Sequence, residues 1–204
     1  MGKHVLTQTP PALDNLAPSP CAPASHPPLE PPLPVLTTQG LGELDILIVD
    51  DNAQMRTIVG SVLTAVGCRR LHYAPDGRHG VDTLRRRSID VIYVDYEMPV
   101  MNGLTFLKAV RELEGPASFT PIIMLTGHSD LKRLTAARDL GINEFLSKPV
   151  TASSILKRLE AVILRPRPFV RLEGYFGPDR RRGDRAGFRG PWRRATDTHD
   201  VLEL

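Results

Sequence analysis

The chain has 204 residues, a mass of 22.5 kDa and a formal net charge of +3, which leaves room for one ordinary domain with appendages. No apolar run approaches the roughly 20 residues a membrane-spanning helix needs, no continuous apolar stretch opens the chain as a signal peptide would, and Leu6 stands where a myristoylation signal requires Ser or Thr. A cytoplasmic protein is therefore expected, and its two cysteines, Cys21 and Cys68, offer neither a metal-ligand pair nor a disulfide framework.

Residues 1–44 hold ten of the 19 prolines, between Pro10 and Pro34, contain no aromatic residue and carry a net −2. This composition predicts a disordered Pro-rich extension, with PPLEPPLPVL (27–36) extended and polyproline-like, a linker rather than a recognition motif. Residues 45–164 then alternate short apolar runs with helical periods. The runs ILIV (46–49), LHYA (71–74), VIYV (91–94), PIIML (121–125) and EFLS (144–147) predict five strands. Three of them are apolar on consecutive residues, the pattern of parallel strands covered on both faces.

Between the strands, Met55, Ile58, Val59, Val62, Leu63 and Val66 fall on one face of a first helix. A second helix is predicted from about Gly77 to Arg87, a third is marked by Leu104, Leu107 and Val110, and a fourth by Leu131, Leu134 and Ala137. Ile155, Leu156, Leu159, Val162 and Ile163 repeat the period in the last helix. Five strand–helix units in about 120 residues imply right-handed crossovers and an open, doubly wound α/β sheet. Ligands in such sheets sit at the carboxyl ends of the strands, where strand order reverses.

The predicted strand ends carry a complementary set of polar groups. Asp50 and Asp51 follow the first strand, Asp95 the third, Thr126 the fourth, and Lys148 with Pro149 the fifth. Three carboxylates brought together repel one another unless a cation joins them. Hard oxygen donors in that number suit Mg²⁺ that keeps several waters. A lysine and a hydroxyl beside them complete a site for a phosphoryl group, with an aspartate available as nucleophile. Taken singly, each residue has a plainer role: Asp51 or Asn52 as the cap of the following helix, Asp95 and Thr126 as loop or turn residues, Lys148 as a solvated lysine.

The stretches DILIVDDN (45–52), VIYVDYEMPVMNGL (91–104), IIMLTG (122–127) and EFLSKPV (144–150) together resemble the receiver domain of bacterial two-component response regulators, of the CheY-like, stand-alone type, over about residues 45–164. The separations agree as well, with 44 residues from Asp51 to Asp95, 31 from Asp95 to Thr126 and 53 from Asp95 to Lys148. The resemblance implies a flavodoxin-like fold of five parallel strands in the order 2-1-3-4-5 with five helices. It implies that Asp95 accepts a phosphoryl group from a sensor histidine kinase or phosphotransfer protein, the only catalysis being the protein's own phosphorylation and dephosphorylation. Asp51 and Asp95 would bind Mg²⁺ directly, Asp50 partly through water, and the backbone carbonyl of Glu97 would be the third protein ligand. Lys148 would contact the phosphate, Thr126 would swing to bond it, and Phe145 occupies the place of a rotating aromatic switch. The Lys148–Pro149 bond is expected to be cis, and Met98, Pro99 and Gly103 match the loop after the phosphoacceptor. Glu97 and His128 stand at positions that in relatives tune hydrolysis of the acyl phosphate. Phe145 departs from many relatives in lacking a hydroxyl. A haloacid-dehalogenase-type phosphohydrolase is the rival, since Glu97 lies two residues after Asp95; that class carries its nucleophile on the first strand.

Residues 165–204 hold ten arginines against six acids, a net +4, together with five of the 11 aromatic residues. Gly177-Pro178-Asp179-Arg180-Arg181 is echoed by Gly190-Pro191-Trp192-Arg193-Arg194, two copies being too few for a solenoid. An Arg-rich, mostly disordered tail is expected, able to dock a partner or kinase, to clamp an acidic protein surface, to fold back on the receiver, to solubilise, or to grip nucleic acid by charge and stacking. No DNA-reading motif or catalytic output domain fits in these 40 residues. The expectation is a stand-alone phosphorelay switch with an unidentified downstream partner.

Overall fold

The computed structural model describes residues 38–127, 131–180 and 200–202, which fall within one compact unit. Its elements in chain order are α1 (Thr38–Glu43), β1 (Asp45–Val49), α2 (Ala53–Ala65), β2 (Arg70–Ala74), α3 (Gly77–Arg86), β3 (Val91–Asp95), α4 (Gly103–Arg111), a 3₁₀ turn (Pro116–Phe119), β4 (Ile122–Thr126), α5 (Leu131–Asp139), β5 (Glu144–Ser147) and α6 (Ala152–Leu164). Strands β1 to β5 make one parallel sheet in the order β2-β1-β3-β4-β5. The doubly wound architecture follows from that order, and the reversal falls between β1 and β3.

Consecutive apolar residues are required because successive side chains enter different cores. Leu47 and Val49 join Val94 and Met124 beneath α3, α4 and α5, whereas Ile46 and Ile48 join Tyr93 and Ile123 beneath α2 and α6. Tyr93 satisfies its buried hydroxyl by donating to the Ile155 carbonyl at 3.0 Å. In α2, Val59 and Leu63 are buried as the helical period predicts, but Ile58 is 47 % exposed at the edge of that face. Among the described residues no helix is long and apolar enough to cross a membrane.

Two boundaries differ from the sequence expectation. The segment assigned to a Pro-rich extension ends in α1, a proline-free turn of helix that buries Leu41 against the core shared with α2 and α6. The tail expected to be mostly disordered instead contains strands Phe169–Leu172 (β6) and Tyr175–Pro178 (β7), an antiparallel hairpin turned at Gly174, whose φ is +74°. A third strand, Asp200–Leu202 (β8), pairs with the other edge of β6. Arginine and Gly-Pro content concealed this, because among the described residues Arg171 and Arg180 lie on aromatic rings and Arg167 and Arg180 donate to backbone carbonyls. Residues 1–37, 181–199 and 203–204, which include Cys21, PPLEPPLPVL (27–36) and the second Gly-Pro copy, lie outside the described residues.

Candidate phosphoryl-acceptor site

The Val49↔Val94 register places Asp50, one residue beyond β1, beside Asp95 at the end of β3. Both carboxylates are buried, at 2 % and 4 % exposure, while Asp51 faces outward. Asn52 is the residue that caps α2, accepting from the amides of Gln54 at 2.9 Å and Met55 at 3.4 Å, which leaves the Asp51 carboxylate free of that duty. The Asn52 amide itself donates to Asp50 Oδ1 at 2.8 Å. The acid pair is thus held by the turn that starts the helix.

Lys148 reaches in from the end of β5, and its peptide bond to Pro149 is cis. Its Nζ lies 2.8 Å from Asp95 Oδ1 and 3.9 Å from Asp50 Oδ2. Thr126, buried at the end of β4, accepts the Lys148 amide on its backbone carbonyl at 2.8 Å, fixing these two strand ends together. Phe145 lies on β5 opposite Met124, half-buried against the core under α3, α4 and α5. Glu97 is exposed in the loop after Asp95, and His128 lies outside the described residues.

The electrostatics are those of an acid cluster taken out of water. Burial raises the pKa of Asp50 from 3.8 to about 6; the Asn52 amide and Lys148 oppose this, while Asp95 and Asp51 add to it. Burial also raises Asp95, against the hydrogen bond and charge of Lys148. One oxygen from each of Asp50, Asp51 and Asp95 lies within 4.8 Å of the others. Asp50 Oδ2 is buried without a hydrogen-bond partner, an oxygen that a cation would satisfy. Three hard oxygen donors with an orphaned lone pair fit Mg²⁺.

The loop from β3 to α4 is tightly specified. A Cβ on Gly103 would meet the Asp95 carbonyl oxygen at 2.6 Å and Tyr96 Cα at 2.9 Å, so glycine lets the backbone of the acceptor strand press against the start of α4. Val100 adopts φ +68° with the Met101 amide on the Pro99 carbonyl at 2.7 Å, a γ-turn of the strained hand on a β-branched residue that is 82 % exposed. Sequence reasoning passed over this strain and also over Arg56. The Arg56 guanidinium donates to the backbone carbonyls of Asp50 at 2.6 Å and Asp51 at 3.3 Å. A basic residue one turn into the helix that follows the acid pair was the available signal.

Residues 46–160 match the response regulator receiver domain family. The chain belongs to that family. This receiver is 31 % identical over 122 residues to chemotaxis protein CheY-3 of Vibrio cholerae, which covers 60 % of the chain and 93 % of the relative. It is 36 % identical over 127 residues to hybrid signal transduction histidine kinase G of Dictyostelium discoideum, 62 % of the chain but 4 % of that kinase. Among solved structures, CheY4 of Vibrio cholerae aligns with a TM-score of 0.56 at 34 % identity, covering 59 % of this chain and 98 % of that one. The receiver domain of a sensor histidine kinase from Pseudomonas aeruginosa aligns with a TM-score of 0.52 at 27 % identity, covering 57 % of the chain and 94 % of that domain, and it carries a magnesium ion coordinated in its active-site cleft.

Proposed function

We propose that this receiver is a stand-alone response regulator that accepts a phosphoryl group on Asp95 from a histidine kinase or phosphotransfer protein and thereby switches the binding of a protein partner. The observation that carries the reading is Asp95 itself, buried at the end of β3, 2.8 Å from Lys148 and clustered with two further acids. In the transfer, an Asp95 carboxylate oxygen attacks the phosphorus of a phosphohistidine, the new O–P bond forms as the N–P bond breaks, and the electron pair returns to the leaving imidazole nitrogen. Lys148 exchanges its contact with Asp95 for one with the phosphoryl oxygens. Thr126 donates its hydroxyl to the same group, and Phe145, two residues before the β5 partner of Thr126, Ser147, repacks with it. Asp50, Asp51 and Asp95, with the Glu97 carbonyl, would hold Mg²⁺, which when bound neutralises charge on the transferring group. Burial of the acceptor keeps bulk water from the acyl phosphate.

The reading is tested by incubating the protein with Mg²⁺ and a small phosphodonor and comparing intact masses with an Asp95→Asn variant. One added phosphoryl group in the parent and none in the variant is expected. A label that persists in the variant, or rapid turnover of unrelated phosphomonoesters as a haloacid-dehalogenase-type enzyme would show, overturns it.

A further inference from the structure

The C-terminal hairpin covers the pole of the receiver opposite to Asp95, where α5 turns into β5. Its fit there is backbone against backbone. Gly141, at φ +88°, faces Gly177: a Cβ on Gly141 would meet the Phe176 carbonyl oxygen at 2.5 Å, and one on Gly177 would meet Gly141 Cα at 2.5 Å. No side chain is tolerated on either side of this contact. Around it the arginines act as specific donors rather than as diffuse charge. Arg180 pairs with Asp139 Oδ1 at 3.2 Å, donates to the Asp139 carbonyl at 3.3 Å and lies 4.0 Å from the Tyr175 ring centroid. Arg167 donates to the carbonyl of Asn143 and, at 3.3 Å, to that of Asp179, tying the hairpin ends to the same corner.

Beneath the hairpin lies a charge that it seals from water. Arg111 is buried at the end of α4, and its guanidinium makes five hydrogen bonds of 2.7 to 3.1 Å to the carbonyls of Ser118, Thr120 and Gly141 and to Asn143 Oδ1. Phe169 from β6 lies 5.0 Å from it, within an aromatic cluster with Phe119 and Phe176. The corner Asp139–Asn143 therefore holds both the cage of Arg111 and the seat of the hairpin. Of the elements that meet at that corner, β5 runs toward the Asp95 site, since Lys148 follows its last residue, Ser147.

We propose that this corner is a docking site for the chain's own hairpin and that its occupancy lowers the affinity of the Asp95 site for a phosphoryl group. The second clause rests on the reading of Asp95 as the phosphoryl acceptor. A phosphoryl group on Asp95 takes over the ammonium that now lies 2.8 Å from its carboxylate, so the end of β5 must readjust; a strand clamped at its start resists that readjustment. Coupling of this kind is reciprocal, so occupancy of the site loosens the hairpin.

The test uses the full chain with two separate substitutions, Arg180→Ala and Gly177→Val, both remote from the acids and Lys148. Hydrogen exchange of residues 167–180 reports docking, and calorimetric titration with beryllofluoride in Mg²⁺ reports the phosphoryl state. Either variant is expected to speed exchange of the hairpin amides at least tenfold with the β1 and β3 amides unchanged, and to tighten beryllofluoride binding at least threefold. In the parent protein, beryllofluoride is expected to speed hairpin exchange. Docking is refuted if neither variant alters hairpin exchange, and coupling is refuted if the hairpin is released while the beryllofluoride Kd stays within twofold or weakens. Absence of beryllofluoride binding in the parent would instead sink the reading of Asp95 and the coupling with it, and is told apart because hairpin exchange would still report docking.

Discussion

Replacing Asp50 by Asn is expected to stabilise the metal-free protein at neutral pH. The carboxylate is buried, one oxygen takes the Asn52 amide at 2.8 Å, and the other has no hydrogen-bond partner. Burial lifts its pKa from 3.8 to about 6. A carboxyl whose pKa is higher in the folded state contributes stability that is complete below about pH 4 and is lost as the pH rises through about 6. At about 1.4 kcal/mol for each tenfold change in proton affinity, keeping Asp50 ionised in the fold costs up to about 3 kcal/mol above pH 7. Asparagine keeps the acceptor for the Asn52 amide and removes the charge. The expected gain is about 1 to 3 kcal/mol, or roughly 3 to 10 °C in Tm for a domain of this size. Thermal denaturation in chelator at about pH 7.5 and about pH 4 measures it, and the gain should shrink to near zero at the lower pH. Excess Mg²⁺ at the higher pH should raise the Tm of the parent more than that of the variant, which lacks one of the three carboxylates proposed to hold the ion. A variant no more stable than the parent at about pH 7.5, or a gain of equal size at about pH 4, would refute the electrostatic reasoning.

Three further outcomes follow from the loops around the site. Gly103→Ala should destabilise by about 1 to 3 kcal/mol, since its Cβ would press on the Asp95 carbonyl, and denaturant unfolding should show a lower midpoint at unchanged slope. Val100→Gly should raise stability by about 1 kcal/mol, because relief of the positive φ on a β-branched residue outweighs the added freedom of the unfolded chain; a lower Tm contradicts this. Glu97→Ala should change the lifetime of the phosphorylated protein, followed by loss of added mass after donor removal, and an unchanged half-life would refute a role for Glu97 in hydrolysis.

The sheet was legible because its strands are covered on both sides. Runs such as ILIV and VIYV have to be apolar throughout when adjacent residues enter different cores, and the polar residues that end them fall where strand order reverses. Asp50, Asp51, Asp95, Thr126 and Lys148 were therefore readable as a set before any distance was known. Ile58 shows the limit of periodicity, which locates a face but not how much of it a neighbour covers. Folding of the tail back on the receiver was one of the readings open from the sequence, but the strands of the hairpin and their seat were illegible for a different reason. Composition counts arginine as solvent-seeking, yet Arg180 and Arg167 spend their donors on the carbonyls of one corner, and the seat depends on two glycines far apart in sequence, Gly141 and Gly177. The basic surplus assigned to the tail is thus spent in part on the receiver itself. The strain at Val100 and the grip of Arg56 on the acid pair likewise depend on backbone geometry that residue type does not encode.

The most direct test of the central claim maps the phosphoryl group. Protein phosphorylated by a small donor in Mg²⁺ is reduced with borohydride, which converts an acyl phosphate to the corresponding alcohol, and is then digested and sequenced by mass spectrometry. Reduction confined to residue 95, appearing as homoserine there, is the expected result. Reduction at Asp50 or Asp51, or none anywhere, would contradict the account.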